Sequence, residues 1–491
     1  MRRHLTLLLS LIFLCSLLTS PAQAAIKQGS KCTTEGQVKN SQGKKFVCTK
    51  LGKKLVWRKG ISQGAKVPSS KPDAAPATTT ELTPATTPEP APATTTEPTS
   101  VNFEYSAPSI PTDQLENCKI KEVSNVRGMT GAGFPEWNSL TAKVGKVKWA
   151  LIPIDFPDLP GEATFRSRVD DQMKLLSEWF ETVSEGKFKV EWVVADNWKT
   201  LPNASSEYTI AQSANLNKAP NGPKLFRDAM NAADPSFDFA GVQTVNFILP
   251  LNQKVIDETS QGFPWDDVVK EFQTKEGKIS SFSIPGDFMS VPGKTYWSYW
   301  AHEFGHAIGL PHIGTSRGDA IPFHALDILG SQDGPDRELS GWIRFIAGWL
   351  PEERIYCKDS KNLSEVEMTL VPLSGSETGV KLAVIPITDR KALLIESRRV
   401  TKFSCTTATK RDGVLVYSYD ATLGHNENFL VPYSATSRAP EKDSCSSLNS
   451  RSGPPVPDLL LKSGEKVTID GVTIEVLKHG NFDKIRVTKS K

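Results

Sequence analysis

The stretch from Tyr299 to His312, which reads YWAHEFGHAIGLPH, sets the strongest limits on how this chain folds. His302 and His306 are four residues apart, so on an α-helix both imidazoles lie on one face, one turn apart. Gly309 can end that helix in a left-handed conformation, and the chain beyond it can bring His312 back toward the pair. A catalytic zinc ion takes three protein ligands and keeps a fourth position open for water. The spacing therefore predicts a zinc site formed by these three histidines.

Glu303 is the predicted general base of this site. It lies about 100° around the helix from His302, so its carboxylate can face the same cleft as the imidazoles. A carboxylate in that place can take a proton from the zinc-activated water and later pass it to the leaving amine. The alternative interpretation is an ordinary amphipathic helix with solvent-facing histidines. The glycine and the third histidine at the required spacing argue against that alternative.

The composition is typical of a globular protein and gives no sign of a nucleic-acid partner. The 491 residues leave room for two or three domains, and 38% of them are hydrophobic and 23% charged. The formal net charge is only +3. Such a balance predicts no strong electrostatic attraction to nucleic acid or to a membrane surface.

The N-terminus has the features of a signal peptide. Arg2 and Arg3 precede an apolar run, residues 5–18, that is too short for a typical membrane span. Ala22 and Ala24 form a cleavage site with small residues at both required positions. We therefore predict a signal peptide over residues 1–24 and a secreted or extracellular protein, with the cell surface as one location. No membrane span is expected after cleavage; an uncleaved anchor is the alternative.

Six cysteines follow the predicted cleavage site, and an even number in an exported protein indicates disulfide bonds. Their spacing is too scattered for a zinc module built from cysteines. The pairs we expect are Cys32–Cys48, Cys118–Cys357 and Cys405–Cys445, although sequence alone does not fix the pairing.

Two segments precede the domain that holds the histidines. Residues 25–60 combine short strand patterns with glycine and lysine turns, which predicts a small disulfide-stapled β module. Its lysines would suit contact with an anionic surface such as a cell wall; a solvated basic face is the alternative. Residues 61–103 are rich in Pro, Thr and Ala and contain two near-repeats ending in APATTTE, so we predict an extended linker.

Residues 104–353 are the predicted catalytic domain. Three stretches have strand patterns and two have apolar residues at helical spacing. The strand candidates are 147–154, 187–194 and 242–251, and the helix candidates are 166–183 and 224–233. With the zinc helix and a further helix ending near Gly348, they predict a twisted mixed sheet flanked by helices. The apolar stripe of the zinc helix, which should face the core, consists of Trp297, Trp300, Ala301, Phe304 and Ile308.

Residues 354–491 are predicted to form a second, β-rich domain. The strand candidates are 366–373, 380–387, 392–398, 414–419, 466–469, 472–477 and 484–489. Seven short strands separated by turns such as Asp470-Gly471 favour a β-sandwich. The fold class expected for the whole chain is therefore α+β.

The zinc motif resembles the metzincin signature HExxHxxGxxH at every fixed position. Beyond it, roughly residues 145–490 resemble the immune inhibitor A-like (peptidase family M6) secreted metalloproteases. The matching pieces are IDFPD at 154–158, SEGKF at 184–188, the zinc helix, DILG at 327–330, LSGW at 339–342, GWL at 348–350 and GVLVY at 413–417. The resemblance implies a metzincin-like catalytic domain and zinc-dependent endopeptidase action on proteins outside the cell.

Two positions depart from the pattern of that family. His312 stands where the family often has Asp, and a histidine there is a good zinc ligand. Leu329 stands where the resemblance implies a methionine packed beneath the zinc. The exchange of methionine for leucine conserves volume, so we expect the packing to be kept.

Four further residues have both a functional and an ordinary interpretation. His324 would bind substrate or stabilise an oxyanion, or it is a polar loop residue. Asp327 would hydrogen-bond a zinc-ligating imidazole, or it makes a local turn contact. Asp155 and Asp158 would help to bind Ca²⁺, or they are plain turn carboxylates.

The function favoured by these patterns is that of a secreted zinc-dependent endopeptidase acting on protein or peptide substrates, with Glu303 as general base. One alternative is a wall-associated binding module whose metalloprotease site has lapsed, and Leu329 would be its first sign. A metal-dependent hydrolase of a non-protein polymer is a third interpretation. Intact ligands together with an intact glutamate favour the first interpretation.

Overall fold

The computed structural model describes residues 30–32, 38–41, 44–51, 54–59, 101–124, 131–135, 141–209, 221–251, 253–255, 261–263, 274–286, 295–314, 323, 326–404, 411–435 and 459–490. The predicted signal peptide, nearly all of the predicted linker, His324 and the Cys405–Cys445 pair lie outside these residues. The chain divides into two compact units, Met1–Thr94 and Thr95–Lys491. The predicted boundaries at residues 60, 103 and 353 stay predictions.

The first unit contains a three-stranded antiparallel sheet. Its strands, in sheet order, are β1 (Val38–Ser41), β2 (Lys44–Leu51) and β3 (Lys54–Lys59). The expected Cys32–Cys48 disulfide is present, and Cys48 packs with the buried Trp57. This apolar cluster is small, so the disulfide supplies a larger share of the module's stability than it would in a large domain.

A six-stranded mixed sheet lies in the second unit. Its strands are β4 (Gly145–Asp155), β5 (Phe188–Val194), β6 (Lys199–Thr200), β7 (Val242–Ile248), β8 (Gln261–Phe263) and β9 (Ser281–Ile284). Their order is β5-β4-β7-β9-β8, with β6 also paired to β4, and every pairing except β8 with β9 is parallel. Parallel strands are covered on both faces, which explains why β4 is buried along most of its length.

Two helices cover this sheet before the histidine motif. They are α1 (Phe165–Val183) and α2 (Asn221–Ala233), both close to the predicted bounds. The buried side of α1 includes Val169, Leu176 and Phe180, at the helical spacing that the sequence shows. The rings of Phe180 and Trp149 of β4 meet edge to face, with centroids 5.6 Å apart.

The histidine motif forms helix α3 (Tyr296–Ala307), and a short helix α4 (Gly341–Ile346) follows it. The predicted apolar stripe of α3 is buried throughout. The ring centroid of its Phe304 lies 4.6 Å from that of Trp149, and the ring centroid of its Trp300 lies 5.2 Å from that of Trp192 on β5. Aromatic packing against the sheet therefore fixes the face of α3 that is turned away from the histidines.

Two further sheets form from residues 355–489. The first has the order β10 (Ile355–Cys357), β12 (Leu382–Thr388), β13 (Lys391–Arg398), β14 (Gly413–Asp420) and β15 (Leu430–Tyr433). The second has the order β11 (Glu365–Leu370), β18 (Asp483–Lys489), β17 (Val472–His479) and β16 (Lys466–Ile469). All seven expected strands are present, and β10 and β15 are additional. One cluster of buried side chains, including Met368, Ile395, Val416 and Ile474, draws on both sheets.

The sheet that contains β14 also contacts the helices of the histidine region. Trp342 of α4 stacks on Tyr419 of β14, with ring centroids 4.4 Å apart. The expected disulfide between Cys118 and Cys357 is present, and both cysteines are buried. In the described part of the chain, no helix is both long enough and apolar enough to cross a membrane.

Candidate metal centre

Helix α3 carries two of the three predicted ligands on one buried face. His302 and His306 are each 7% exposed, and their ring centroids lie 4.9 Å apart. The helix ends after Ala307, where Gly309 has a φ of 92°. Only glycine adopts that left-handed conformation without strain, which explains why the chain turns there.

The turn after Gly309 returns the third histidine to the pair, as the spacing predicted. The ring centroid of His312 lies 5.2 Å from that of His302 and 5.6 Å from that of His306. One ring nitrogen from each histidine lies within 4.8 Å of the other two. Within the described ranges, this is the single cluster of three or more His, Cys, Asp or Glu side chains with metal-ligand spacing.

Backbone carbonyls hold all three imidazoles in the same tautomer. Nδ1 of His302 lies 2.7 Å from the oxygen of Ile328, and Nδ1 of His306 lies 3.0 Å from the oxygen of Leu310. Nδ1 of His312 lies 2.9 Å from a third carbonyl, that of Gly314. Because a carbonyl only accepts, each Nδ1 carries the proton and each Nε2 keeps its lone pair. Metal-ligating histidines have this arrangement.

The convergence of these lone pairs fits a tetrahedral cation. Nε2 of His302 and Nε2 of His306 are 3.4 Å apart, with no proton available to join them. Zinc–nitrogen bonds of about 2.0–2.1 Å in a tetrahedron separate two nitrogens by roughly 3.3–3.4 Å. Three neutral imidazoles are also a preferred donor set for zinc. The residues present therefore fit the expected ion.

The surroundings favour the neutral form of two of these imidazoles. Burial lowers the pKa of His306 well below 6.5, and the nearby His302 and His312 lower it further. Burial also lowers the pKa of His312. A neutral imidazole is the form that binds a metal, so His306 and His312 need no deprotonation at neutral pH.

Leu329 packs beneath the ligand helix, in the place expected from its position in DILG. Its side chain is fully buried, and its Cδ2 lies 2.6 Å from the point where a Cβ at Gly305 would stand. Gly305 lies between the two ligands of α3, so its lack of a side chain lets the leucine approach the helix. Both residues therefore set the distance between α3 and the chain beneath it.

Asp327 makes the local turn contact and not a bond to an imidazole. Its Oδ1 accepts from the amide of Leu329 at 2.8 Å, and its Oδ2 accepts from the amide of Ser340 at 2.7 Å. Burial raises the pKa of Asp327 to about 6, against the opposing effect of these two hydrogen bonds. The carboxylate thereby shapes the loop whose Ile328 carbonyl holds His302.

Glu303, the predicted base, follows His302 on α3 and is half-buried. His312 is also half-buried, whereas the two ligands on α3 are buried. Glu303 and His312 are therefore more open to solvent than His302 and His306. Catalysis by Glu303 and metal binding by the three histidines stay predictions.

His425 lies beside this cluster and was missed by the sequence reasoning. It is in the turn between β14 and β15, with its ring centroid 5.8 Å from that of His306 and 6.4 Å from that of His312. Its Nδ1 accepts from the backbone amide of His312 at 3.1 Å. Burial, with His312 nearby, lowers the pKa of His425 to about 4. His425 lies six residues beyond the predicted strand 414–419, and no sequence pattern links it to His312.

The carboxylates considered for Ca²⁺ accept hydrogen bonds from protein groups. Oδ2 of Asp155 accepts from the amide of Gly161 at 2.8 Å. Asp158 accepts from the amide and the hydroxyl of Ser205, at 2.7 and 2.8 Å. These contacts occupy one oxygen of Asp155 and both oxygens of Asp158, and Ca²⁺ gains no support.

One comparison with known proteins points to a peptidase, and it covers part of the chain. Residues 286–370, which contain all three histidines and Leu329, match the sequence model of the Peptidase M66 family. No curated protein sequence matches the chain. One similar solved structure is the crystal structure of catalytic inactive OgpA from Akkermansia muciniphila in complex with an O-glycopeptide (glycodrosocin) substrate.

The likeness to that structure is weak. The identity is 10% and the TM-score 0.22, over 73% of this chain and 96% of that chain. At this TM-score the match carries no argument about fold or substrate. The narrower resemblance to family M6 is not confirmed. The match over residues 286–370 and the three-histidine cluster support the expected resemblance to zinc metalloproteases for this segment of the chain.

Proposed function

We propose that this chain is a secreted zinc-dependent endopeptidase that hydrolyses peptide bonds in extracellular proteins, with Glu303 as its general base. His302, His306 and His312 are the zinc ligands. The observation that carries the proposal is the shared tautomer: three carbonyls take the three Nδ1 protons, so three Nε2 lone pairs remain for one cation. The Peptidase M66 match over the same residues supports a peptide substrate.

The chain's own residues supply orientation and proton transfer. Zinc, when bound, polarises the scissile carbonyl and gives a nucleophilic water near neutral pH. The carbonyls of Ile328, Leu310 and Gly314 hold the ligands, so no imidazole has to rotate during the reaction. Glu303 accepts the proton of the attacking water and delivers it to the leaving amine.

Replacing Glu303 by Gln tests the assignment of the base. The amide keeps the shape of the carboxylate but does not take a proton, so Glu303→Gln should bind zinc as the wild type does. Its kcat on an unfolded protein such as casein should fall by roughly 10²–10⁴-fold. Metal content and cleavage are measured on the same purified mature protein.

The matched control is His302→Ala, which should lose both zinc and cleavage because it removes a ligand. Full turnover by Glu303→Gln would remove Glu303 from its role. Zinc without turnover in the wild type would favour a wall-associated binding module with a lapsed site. Turnover of a polysaccharide but not of casein would favour a hydrolase of another polymer.

The finer organisation of the fold follows from the same proposal. Three features support a metzincin-like catalytic domain: the mixed sheet, the helix α3 with two of the proposed ligands, and the packing of Leu329 beneath Gly305. Supporting a β-sandwich in the C-terminal region is the apolar cluster drawn from both of its sheets.

The proposed location outside the cell is supported by the two disulfides. Cys32–Cys48 and Cys118–Cys357 are both present, and such bonds persist in oxidising compartments. Contact of residues 25–60 with a cell wall or surface is part of the proposal as well. It is motivated by the lysines of that module, such as the exposed Lys31 and Lys54.

A further inference from the structure

The third histidine is held by a turn that is 113 residues away along the chain. The amide of His312 donates to Nδ1 of His425 at 3.1 Å, and the carbonyl of His312 accepts from the amide of Asn426 at 3.0 Å. Two residues after His312, the amide of Gly314 donates to the carbonyl of Glu427, in the same turn, at 2.9 Å. Both backbone polar groups of His312 are thus bonded to the same turn.

That turn is itself fixed. The amide of Gly424 donates to Oε2 of Glu427 at 2.8 Å, and the amide of Glu427 donates to the carbonyl of Gly424 at 2.9 Å. Asn426 has a φ of 64°, a left-handed conformation that asparagine tolerates better than most residues. The turn joins β14 to β15, two paired strands of one sheet. His312 is therefore attached to a rigid support and not to a free loop.

We propose that His425 is a positioning residue for the third zinc ligand, acting through the backbone of His312. The inference rests on the proposed zinc function and adds a residue outside the HExxHxxGxxH motif to the site. His302 and His306 are held by the regular hydrogen bonds of α3, whereas His312 follows the end of that helix. If His425 is removed, the backbone amide of His312 loses its hydrogen bond to Nδ1 of His425, which holds the backbone of the third ligand in place.

The chemistry of the contact requires an acceptor at Nδ1 of His425. Since Nδ1 accepts the amide proton, the neutral imidazole carries its own proton on Nε2. His425 is not a member of the group of three histidines with metal-ligand spacing, so its contribution comes through His312. An asparagine offers an acceptor oxygen at the same number of bonds from Cβ, and a glutamine offers it one bond further out.

This difference gives a matched set of variants: His425→Ala, His425→Asn and His425→Gln. Zinc dissociation constants of the full chain are measured by competition with a chromophoric chelator, so the result does not depend on turnover. His425→Ala and His425→Gln should bind zinc roughly 10–100-fold more weakly than the wild type. His425→Asn should bind it within about threefold of the wild type because its oxygen replaces Nδ1.

Wild-type affinity in all three variants would overturn the proposal. So would an equal loss in all three, because the asparagine then would not replace the acceptor. Circular dichroism of each metal-free variant identifies any variant that fails to fold. If His425→Ala does not fold, the zinc affinities of His425→Asn and His425→Gln still test the proposal. A wild-type protein that binds no zinc would refute the proposed function itself, which is a different result from failure of this inference.

Discussion

At the scale of single residues, the spacing of the motif was enough to predict which imidazoles meet, because a helix fixes the geometry of residues four apart. It did not reveal the carbonyls that orient them, since all three, those of Leu310, Gly314 and Ile328, lie outside the helix. The role of His425 could not be predicted from the sequence for a similar reason. No periodicity links it to His312, and only the pairing of β14 with β15 places the turn beside the ligand.

Gly305 gives a prediction about the packing beneath the ligands. A Cβ at this position would stand 2.6 Å from Cδ2 of Leu329, closer than carbon atoms approach, and Leu329 is fully buried. Gly305→Ala should therefore lower the free energy of unfolding by about 1–3 kcal/mol, despite the better helix propensity of alanine. Urea unfolding of the metal-free protein measures the change.

The control for Gly305→Ala is the double variant Gly305→Ala/Leu329→Ala. Removing the leucine methyl groups makes room for the new Cβ, so the two substitutions should cost less together than the sum of their separate costs. Strict additivity would show that Leu329 does not restrict position 305.

At the scale of elements, most strands and helices could be predicted from hydrophobic periodicity, while their pairing could not. Helices α1 and α2 differ from the expected bounds by one and three residues at their N-termini only. Strands β10 and β15 escaped notice because three or four residues are too few to show a period. The order β10-β12-β13-β14-β15 depends on contacts between distant residues, which a local pattern does not contain.

One buried carboxylate links the two C-terminal sheets. Asp483 of β18 is fully buried and accepts hydrogen bonds from Ser397 of β13 at 2.7 Å and from Arg399 at 2.9 Å. It also lies 2.5 Å from Nδ1 of His479. Burial alone raises the pKa of Asp483, but the hydrogen bonds from His479 and Arg399 outweigh it, so the pKa lies below 3.8.

This depressed pKa predicts a loss of stability in acid. The ionised carboxylate stabilises the fold above the unfolded-state pKa, and that contribution disappears as the pH falls through the folded-state pKa. At pH 7, the free energy of unfolding of Asp483→Asn should be about 2–4 kcal/mol lower than that of the wild type. The difference should narrow below about pH 3.8, and urea titrations at pH 7 and pH 3 measure it. A difference that stays constant with pH would contradict the role of the charge.

At the scale of the whole molecule, the histidine region and the C-terminal strands share interactions across the predicted boundary at residue 353. Arg398 of β13 donates to the carbonyl of Leu326 at 2.9 Å, close to the loop under α3. The amide of Gly341 donates to Oε2 of Glu396 at 2.7 Å, and the hydroxyl of Tyr417 donates to the same atom at 2.7 Å. Composition and spacing suggested two domains in series and gave no sign of this shared buried network.

The Cys118–Cys357 disulfide gives a prediction for the stability of the larger unit. The two cysteines are 239 residues apart, so the bond restricts a long loop in the unfolded chain. The variant Cys118→Ala/Cys357→Ala should lose about 2–5 kcal/mol of unfolding free energy and show a lower Tm. A reducing agent should lower the Tm of the wild type by more than that of the variant, which keeps the Cys32–Cys48 disulfide. Equal Tm values under oxidising conditions would contradict the prediction.

The turn that holds His312 also sets an order of events during synthesis. Residues 425–427 leave the ribosome after the whole histidine motif. Nascent chains that end before this turn therefore lack both groups that hydrogen-bond the backbone of His312 from it, Nδ1 of His425 and the amide of Asn426. Under the proposed function, completion of the zinc site is therefore a late step, and proteolytic activity arises only once nearly all of the polypeptide has been made.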